Sequence, residues 1–226
     1  EEISSKRTIP YFYGVKREPI EFTVQLVLAD KYMQPKKWTP QERYKITQWL
    51  IHDEYKEFQT SDDLGKRYYV LVEAQVDLNL INTQGYIEVT FRTNSPFAWS
   101  PIYIDSHDLS DNTTKVIELE NKSNVVKYYN PLIEIELVGD TTDVQLKNLS
   151  NNGKIMKFEG LSKGEIVSID CQNRIIKSNL FGSNPFSKFN IGMNYRYWMD
   201  LVYGINRVEV SNSCKIKVRS QFPIAQ

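Results

Sequence analysis

The first hundred residues show a period-two pattern of apolar and polar positions, interrupted by one helical pattern. The clearest strand is predicted over Glu21–Leu28, EFTVQLVL, where every second residue from Phe22 onward is apolar and shares one face. Apolar runs predict three further strands, over Tyr55–Gln59, Tyr68–Val76 and Tyr86–Arg92. We expect the last two to form an antiparallel pair, joined by a loop of several residues that contains Gly85.

One stretch, WTPQERYKITQWL from Trp38 to Leu50, carries the signals of a helix. Thr39 suits the N-cap, Pro40 suits the first helical position, and Glu42 completes a capping box. At helical spacing, the apolar stripe is formed by Ile46, Trp49 and Leu50. The solvent-facing side is formed by Arg43, Lys45 and Gln48. A helix of about three turns is not stable alone in water, so we expect it to lie on the sheet.

A proline-containing segment, TNSPFAWSP over Thr93–Pro101, ends this pattern, and we place a domain boundary near Ser100. Beyond it the chain predicts eight short strands with turn residues between them and no helix, which favours an antiparallel β-sandwich. The strands are predicted over Lys115–Glu120, Leu132–Val138, Val144–Leu149, Lys154–Glu159, Glu165–Cys171, Arg174–Lys177, Arg207–Val210 and Lys215–Arg219. The aromatic stretch Phe181–Tyr203 is less regular, and we interpret it as a loop over one sheet edge.

Composition narrows the class of protein. The 226 residues are 41% hydrophobic and 25% charged, which is typical of globular proteins, and 12% aromatic, which favours strands. Formal net charge is zero, and the parts up to and beyond Pro101 carry −1 and +1. This balance argues against specific nucleic-acid binding. No apolar run approaches the ~20 residues of a membrane helix. Because the sequence begins at Glu1 rather than Met, we expect a processed or trimmed start.

Few residues suggest chemistry. The chain has two cysteines, Cys171 and Cys214, which cannot form a disulfide scaffold and lack the spacing of a metal site. This favours two reduced thiols in the core and leaves a single disulfide between them as the alternative. His52 and His107 are isolated, in a predicted loop or helix end. We therefore expect no catalytic residue, no metal and no cofactor. Glu134 and Glu136 share one strand face and could present two carboxylates to a sugar, but a solvent-facing strand has the same pattern.

Aromatic residues of the second half leave three interpretations open. They could form a stacking platform for a carbohydrate, belong to the core, or face another protein chain. The residues in question are Trp99, Trp198, Tyr195, Tyr197, Phe186 and Phe189. Core or interface is favoured over sugar binding.

Two series of segments resemble a known family. In the first half REPIEFTVQLVL, WTPQERYKITQWL, EFQTSDDLGKRYYVLVEAQV and YIEVTFRTNSPFAWSP run in the order strand, capped helix, strand, strand. This order resembles the N-terminal domain of distal tail proteins of siphovirus-type phages. The second half contains PLIEIELVG, VQLKNLSNNGKIMKFEGLSKGEIVSIDC and GINRVEVSNSCKIKVRS. It is similar to the galectin-like β-sandwich that follows in that family.

The resemblance implies a structural virion component without enzymatic activity, made in the cytoplasm of the bacterial host. It implies a mainly β protein in which residues 1–100 form a β-domain with one capped helix and residues 101–226 form the galectin-like sandwich. The first domains would assemble into a hexameric ring at the tail tip, connecting the tail tube protein to the baseplate or tail fibre. A cyclic ring requires two different, complementary faces on each copy.

Two departures from the family pattern change these expectations. Family members usually carry further strands before the segment that matches Glu1, so part of the first domain is expected to be missing. The second half lacks the signature by which galectins hold galactose, since Asn184-Pro185 is followed by Phe186 and not by Arg. Sugar binding is therefore not inherited from the fold. The alternative function is a carbohydrate-binding module that attaches to a bacterial surface polysaccharide through the C-terminal sandwich.

Overall fold

A computed structural model describes residues 15–72, 77–81, 84–111, 114–190 and 197–225. The chain comprises two compact units, Glu1–Ala98 and Trp99–Gln226. Within the described residues both units are built mainly of antiparallel strands, and the first contains an α-helix. This confirms the predicted mainly β fold class. No helix in the described ranges is long and apolar enough to cross a membrane.

The first unit is a sheet of five antiparallel strands with the helix packed on one face. Its elements are β1 (Glu21–Val27), α1 (Pro40–Leu50), β2 (Lys56–Phe58), β3 (Tyr68–Val72), β4 (Asp77–Ile81) and β5 (Gln84–Thr93). The strand order is β1-β5-β3-β2, and β4 pairs with β5 as well. A short strand, β6 (Ala98–Trp99), stands at the border of the unit. Strand β5 is therefore the centre of the sheet, since three other strands pair with it.

Strand β4 corrects the predicted loop between the two longer strands. The prediction Tyr68–Val76 is observed as β3 up to Val72, and residues 73–76 lie outside the described part of the chain. The antiparallel pairing of β3 with β5 is confirmed. Instead of a loop, β4 then pairs with the first half of β5, where Leu80 lies opposite Gly85. Its sequence, DLNLI, contains two polar residues that are disfavoured in strands, so pairing with β5 outweighs local preference.

The predicted capping box is present and begins the helix at Pro40. The Glu42 amide donates to Thr39 Oγ1 at 3.3 Å, and the Thr39 amide donates to Glu42 Oε2 at 2.9 Å. Just before the cap, the indole nitrogen of Trp38 donates to the Gly85 carbonyl at 3.1 Å. At the other end, Leu50 is buried and shares a cavity lining with Phe91. Eleven helical residues span ~16 Å, close to the ~20 Å from Gly85 to Phe91 along β5.

Two residues of the helix lie on the opposite side from the one predicted. Trp49 is 63% exposed, not part of the buried stripe. Arg43 is half-buried, although the pattern places it in solvent. The stripe that meets the sheet is defined by Ile46 and Leu50, and position 43 continues it at the i, i+3, i+7 spacing. Trp49 is turned by about 100° from Leu50, away from this line.

The second unit is a sandwich of two antiparallel sheets. Its elements are β7 (Tyr103–Leu109), β8 (Lys115–Asn121), β9 (Tyr128–Tyr129), β10 (Leu132–Leu137), β11 (Val144–Asn148), β12 (Lys154–Phe158), β13 (Ile166–Asp170), β14 (Ile175–Ser178), β15 (Leu201–Val202), β16 (Gly204–Ser211), β17 (Cys214–Ser220) and β18 (Pro223–Ile224). The sheets have the orders β14-β13-β10-β17-β7 and β12-β11-β16-β8. Alternate residues of both sheets form one buried core, for example Ile135, Val167, Leu146 and Val208. All eight predicted strands are present within a few residues.

Several elements of this unit are absent from the prediction. Strand β7 is an edge strand in which only Leu109 is buried, so its sequence, YIDSHDL, lacks an apolar alternation. A 3₁₀ helix at Pro185–Lys188 corrects the expectation of no helix. The two-residue strands β9, β15 and β18 are too short to leave a sequence pattern.

The segment Phe181–Tyr203 packs over a sheet edge, as predicted, in its described part. Phe189 forms a β-bridge with Phe158 of the edge strand β12. The backbone N–H of Glu159 donates to the Lys188 carbonyl at 2.9 Å. The edge strand is therefore covered, which removes a site for unwanted strand pairing.

We predict that Thr39→Ala destabilises the helix of the first unit by about 1 kcal/mol, because it removes the side-chain acceptor of the cap. Hydrogen exchange of the amides around Ile46–Leu50, read by mass spectrometry, should become about fivefold faster. Thr47→Ala is the matched control, since Thr47 is exposed and outside the cap. Equal exchange in the two variants would contradict a stabilising role of the capping box.

Candidate functional site

The two carboxylates of β10 are matched by lysines of the neighbouring strand. Glu134 lies opposite Lys217 and Glu136 opposite Lys215. The lysine nitrogens stand 3.1 Å and 3.7 Å from the carboxylate oxygens. All four side chains are partly exposed, so these are surface ion pairs of modest energy. Glu134 and Glu136 therefore lie on the solvent-facing side of the strand, as the alternation also indicated. They are not arranged as an acid pair that faces a sugar site.

Neither histidine lies in a catalytic arrangement. His52 is exposed just beyond the helix. The prediction of a loop for His107 is wrong, since it lies in β7 opposite Ile216, and its buried Nε2 has no hydrogen-bond partner. Among the described residues no three His, Cys, Asp or Glu side chains are grouped to hold a metal ion.

The two cysteines are free and buried, which answers the question of a bridge between them. Cys214 lies in β17, and Cys171 follows the last residue of β13. Burial raises the pKa of each thiol to about 12. Thiols of this kind are poor nucleophiles at neutral pH, so they act as core residues.

The candidate aromatic platform is mostly core. Phe189 and Tyr197 are 2% and 6% exposed. Half-buried Trp198 packs on Phe189, with ring centroids 4.7 Å apart, and more loosely on Phe186 at 6.0 Å. Trp99 is half-buried, and Tyr195 lies outside the described residues. The rings of Phe186, Phe189 and Trp198 therefore pack on one another rather than line an open groove.

The segment Asn184–Phe186, where this sequence departs from the galectin signature, has a local structural role. The Asn184 side chain accepts the backbone N–H of Phe186 at 3.2 Å and so caps the 3₁₀ helix. Pro185, at the first helical position, is buried. The segment is thus fixed by its own backbone contacts.

A buried glutamate, Glu165, with a half-buried lysine partner is the site that sequence analysis missed. The Glu165 side chain is fully buried, and Lys188 Nζ donates to its Oε2 at 2.8 Å. The Ser162 amide donates at 2.9 Å and the Ser178 hydroxyl at 2.8 Å. Burial would raise the pKa of Glu165, but these donors together hold it below its ordinary value. With no accessible face, the carboxylate fastens the turn before β13 to the segment over the sheet edge. The only hint in the sequence is the Gly-Leu-x-x-Gly-Glu turn.

A polar cleft of about 250 Å³ lies between strands of the two sheets of the second unit. Its acidic side chains are Asp105, Glu118 and Glu120. Lys122 is engaged with two neighbours, 3.6 Å from Glu120 and 4.2 Å from the ring centroid of Tyr103. The cleft contains neither His nor Cys, so it offers hydrogen bonds without a nucleophile or a histidine base.

An apolar groove of about 290 Å³ opens in the first unit where the helix ends. Trp49 and Leu50 of α1 form one wall, and Phe58, Val70 and Phe91 of the sheet form the other. Polar side chains also line it, namely His52, Lys56 and Glu57. The groove lies at edge strand β2, which has only three residues.

A hydrogen-bonded loop exposes two large apolar side chains at the other end of the helix. Tyr32 is 70% and Met33 83% exposed. Asp30 Oδ1 accepts the backbone N–H of Gln34 at 3.0 Å and of Tyr32 at 2.8 Å. These two donors lower the pKa of the Asp30 carboxyl. Met33 has a φ of 62°, a conformation that non-glycine residues adopt rarely. The loop over Asp30–Gln34 is therefore closed by hydrogen bonds to its own Asp30 side chain.

Comparison with known proteins gives a consistent result for both units. A family described as phage tail protein N-terminal domain matches residues 1–95, and one described as phage tail C-terminal domain matches residues 97–219. An uncharacterized protein of Bacillus subtilis strain 168, SPbeta prophage-derived YomH, is 24% identical over 215 residues, covering 94% of this chain and 79% of that protein.

A solved structure shares the fold of almost the whole chain. The crystal structure of the Dit protein of phage SPP1 has a TM-score of 0.63 and 15% identity, over 96% of this chain and 86% of that one. That protein is described as a paradigm of the hub adsorption apparatus in phages that infect Gram-positive bacteria. The fold expected from the resemblance to distal tail proteins is thereby confirmed.

We predict that Glu165→Gln lowers the free energy of unfolding of the second unit by about 2–3 kcal/mol at pH 7, because Lys188 loses its charged partner. Since the folded-state pKa of Glu165 is lowered from 4.5, its contribution is complete above that value and lost as pH falls through the folded-state pKa. In urea titrations the difference between wild type and variant should therefore be constant above about pH 6 and shrink in acid. The exposed pair supplies the control, since Glu134→Gln should cost at most about 0.5 kcal/mol. A pH-independent difference would contradict the role of the Glu165 charge.

We predict that neither thiol reacts with Ellman's reagent at pH 8 in the native protein. With a pKa of about 12 for Cys171 and Cys214, the thiolate fraction is on the order of 10⁻⁴. In guanidinium chloride both thiols should react, two per chain. Rapid labelling of one thiol before unfolding would show that a cysteine is accessible, against the buried positions described above.

Proposed function

The chain belongs to the phage tail protein family, and we propose that it is a structural component of the tail tip that connects the tail tube to the baseplate or tail fibre. As a member of that family it is a component of the virion tail. The observation that carries the proposal is that the two domain families of phage tail proteins match consecutive parts of this chain. The Dit-like fold over 96% of the chain supports the more specific position at the distal end.

A purely structural role agrees with the chemistry of the described residues. The buried acid Glu165 has no accessible face and is paired with Lys188, and the two cysteines are in the core. The carboxylates of β10 are engaged with lysines. We therefore propose that the protein has no enzymatic activity and acts through its surfaces.

We further propose that the first units assemble into a ring of six copies. This unit exposes several large apolar side chains, among them Tyr32, Met33, Tyr44, Trp49 and Leu64. Large exposed apolar patches of soluble proteins are typically interaction sites. The near-neutral charge suits packing against other protein chains and leaves DNA free to pass through a central opening.

Attachment to a surface polysaccharide is the second candidate, with less support. The aromatic residues that could stack on a sugar are largely in the core, as Phe189 and Tyr197 are. The polar cleft beside Tyr103 is the place where a saccharide would find hydrogen-bonding groups. A glycan array of the purified protein tests this function, and binding that Tyr103→Ala abolishes would favour it.

We predict that the full-length protein forms six-membered rings. Native mass spectrometry should give six times the chain mass, and negative-stain images should show closed rings with a central opening. An epitope-tagged copy should be found by immunogold labelling at the distal end of the tail. A monomer at about 100 μM would contradict the ring, and label along the whole tail would contradict the tip position.

A further inference from the structure

The first unit carries an exposed apolar projection and an exposed apolar groove at its two opposite ends. The projection is the loop Asp30–Gln34 with Tyr32 and Met33, and the groove lies between Trp49 and Phe58. We propose that the loop of one copy inserts into the groove of the next copy, so that the ring is joined head to tail by this contact. This inference rests on the proposed ring and names the surfaces that form it.

The two features are too far apart for one copy to satisfy both. Residue Val27, where β1 ends before the loop, pairs with Tyr86 of β5. Phe91, which lines the groove, is five residues further along β5, or ~17 Å. The groove also lies on β3 and β2, on the other side of β5 from β1. The exposure of Tyr32 and Met33 shows that the loop does not fill its own groove.

This arrangement is what a cyclic assembly needs. A ring of more than two copies requires a heterologous interface, in which one patch meets a different patch of the neighbour. The helix separates the two patches, because Trp38 before its first turn bonds to Gly85 while Leu50 at its end lines the groove. Each copy therefore presents a projection at one end of the helix and a cavity at the other.

Charge is complementary between the two surfaces. The loop region 30–37 contains Lys31, Lys36 and Lys37 against one acid, Asp30, a net charge of +2. Residues 52–67, which supply β2 and the turns around it, contain five acidic and three basic side chains, a net charge of −2. Opposite charge on the two patches favours their meeting and disfavours the contact of two like patches.

The hydrogen bonding of the loop and the size of the groove also favour the loop as the occupant of the groove. The loop is closed on itself, since the Lys36 N–H donates to the Leu28 carbonyl at 2.8 Å and the Asp30 N–H to the Gln34 carbonyl at 3.0 Å. A loop closed by its own hydrogen bonds loses less conformational entropy on binding than an open loop does. The groove, at about 290 Å³, has room for a side chain of this size and is lined mainly by apolar residues. Tyr and Met are among the residues enriched at such interfaces.

Engineered cysteines test the contact in the full-length protein. In the double variant Met33→Cys/His52→Cys, mild oxidation should link neighbouring copies, giving a ladder of up to six chains on a non-reducing gel. The native thiols are buried and should not interfere. The matched control is Met33→Cys/Tyr44→Cys, since Tyr44 is 70% exposed on the helix side away from the sheet, and it should give no ladder. Each single variant has one accessible thiol per chain, so oxidation should give no product larger than a dimer.

A non-covalent test uses Tyr32→Ser/Met33→Ser, for which we expect the association of neighbouring copies to weaken at least tenfold, measured by ring dissociation on dilution. An intact wild-type ring whose double-cysteine variant gives no ladder would overturn this contact and leave the proposed function standing. A disulfide formed within one chain would also overturn it. The absence of any ring in the wild type would instead refute the assembly itself.

Discussion

The first unit depends on one mutual requirement, that an eleven-residue helix and one face of a five-stranded sheet bury each other. The helix is too short to be stable alone, and the sheet has apolar residues on the face that receives it. Both ends of the helix are fixed, by the Trp38 indole at Gly85 and by Leu50 beside Phe91. The helix is therefore anchored to β5 at both of its ends, near Gly85 and near Phe91.

These two anchors determine what the ends of the helix present. The loop before the helix and the groove after it are not random exposed segments, because each is attached to a fixed end of the same element. A unit with different patches at two anchored ends is suited to repeated assembly, whereas loosely attached patches would let the angle between neighbours vary. The second unit contrasts with this, since its buried Glu165 network and its covered β12 edge are satisfied within the unit.

The sequence predicts elements whose local signals agree with their packing and fails where tertiary contacts decide. The capping box at Thr39 and the alternating strands of the sandwich are local signals, and both are observed. Strands β4 and β7 were not predictable, because their partners rather than their own residues hold them in the sheet. Glu165 resembled any turn acid in sequence, since its partners Ser178 and Lys188 come 13 and 23 residues later. The groove was likewise not predictable, because its walls come from three strands and a helix that only the fold brings together.

The error at Trp49 is informative about the candidate surface. A tryptophan at helical spacing from Ile46 is normally expected in the core, and the buried stripe instead includes half-buried Arg43. Folding of the isolated unit would favour the tryptophan inside and the arginine outside, since burial of an aromatic side chain stabilises and burial of a charged one costs free energy. The opposite arrangement leaves a large apolar side chain at the groove, beside Phe58. Such a conflict between local stability and surface composition is expected at functional positions. In the proposed ring, a neighbouring chain rather than the chain's own core would bury Trp49.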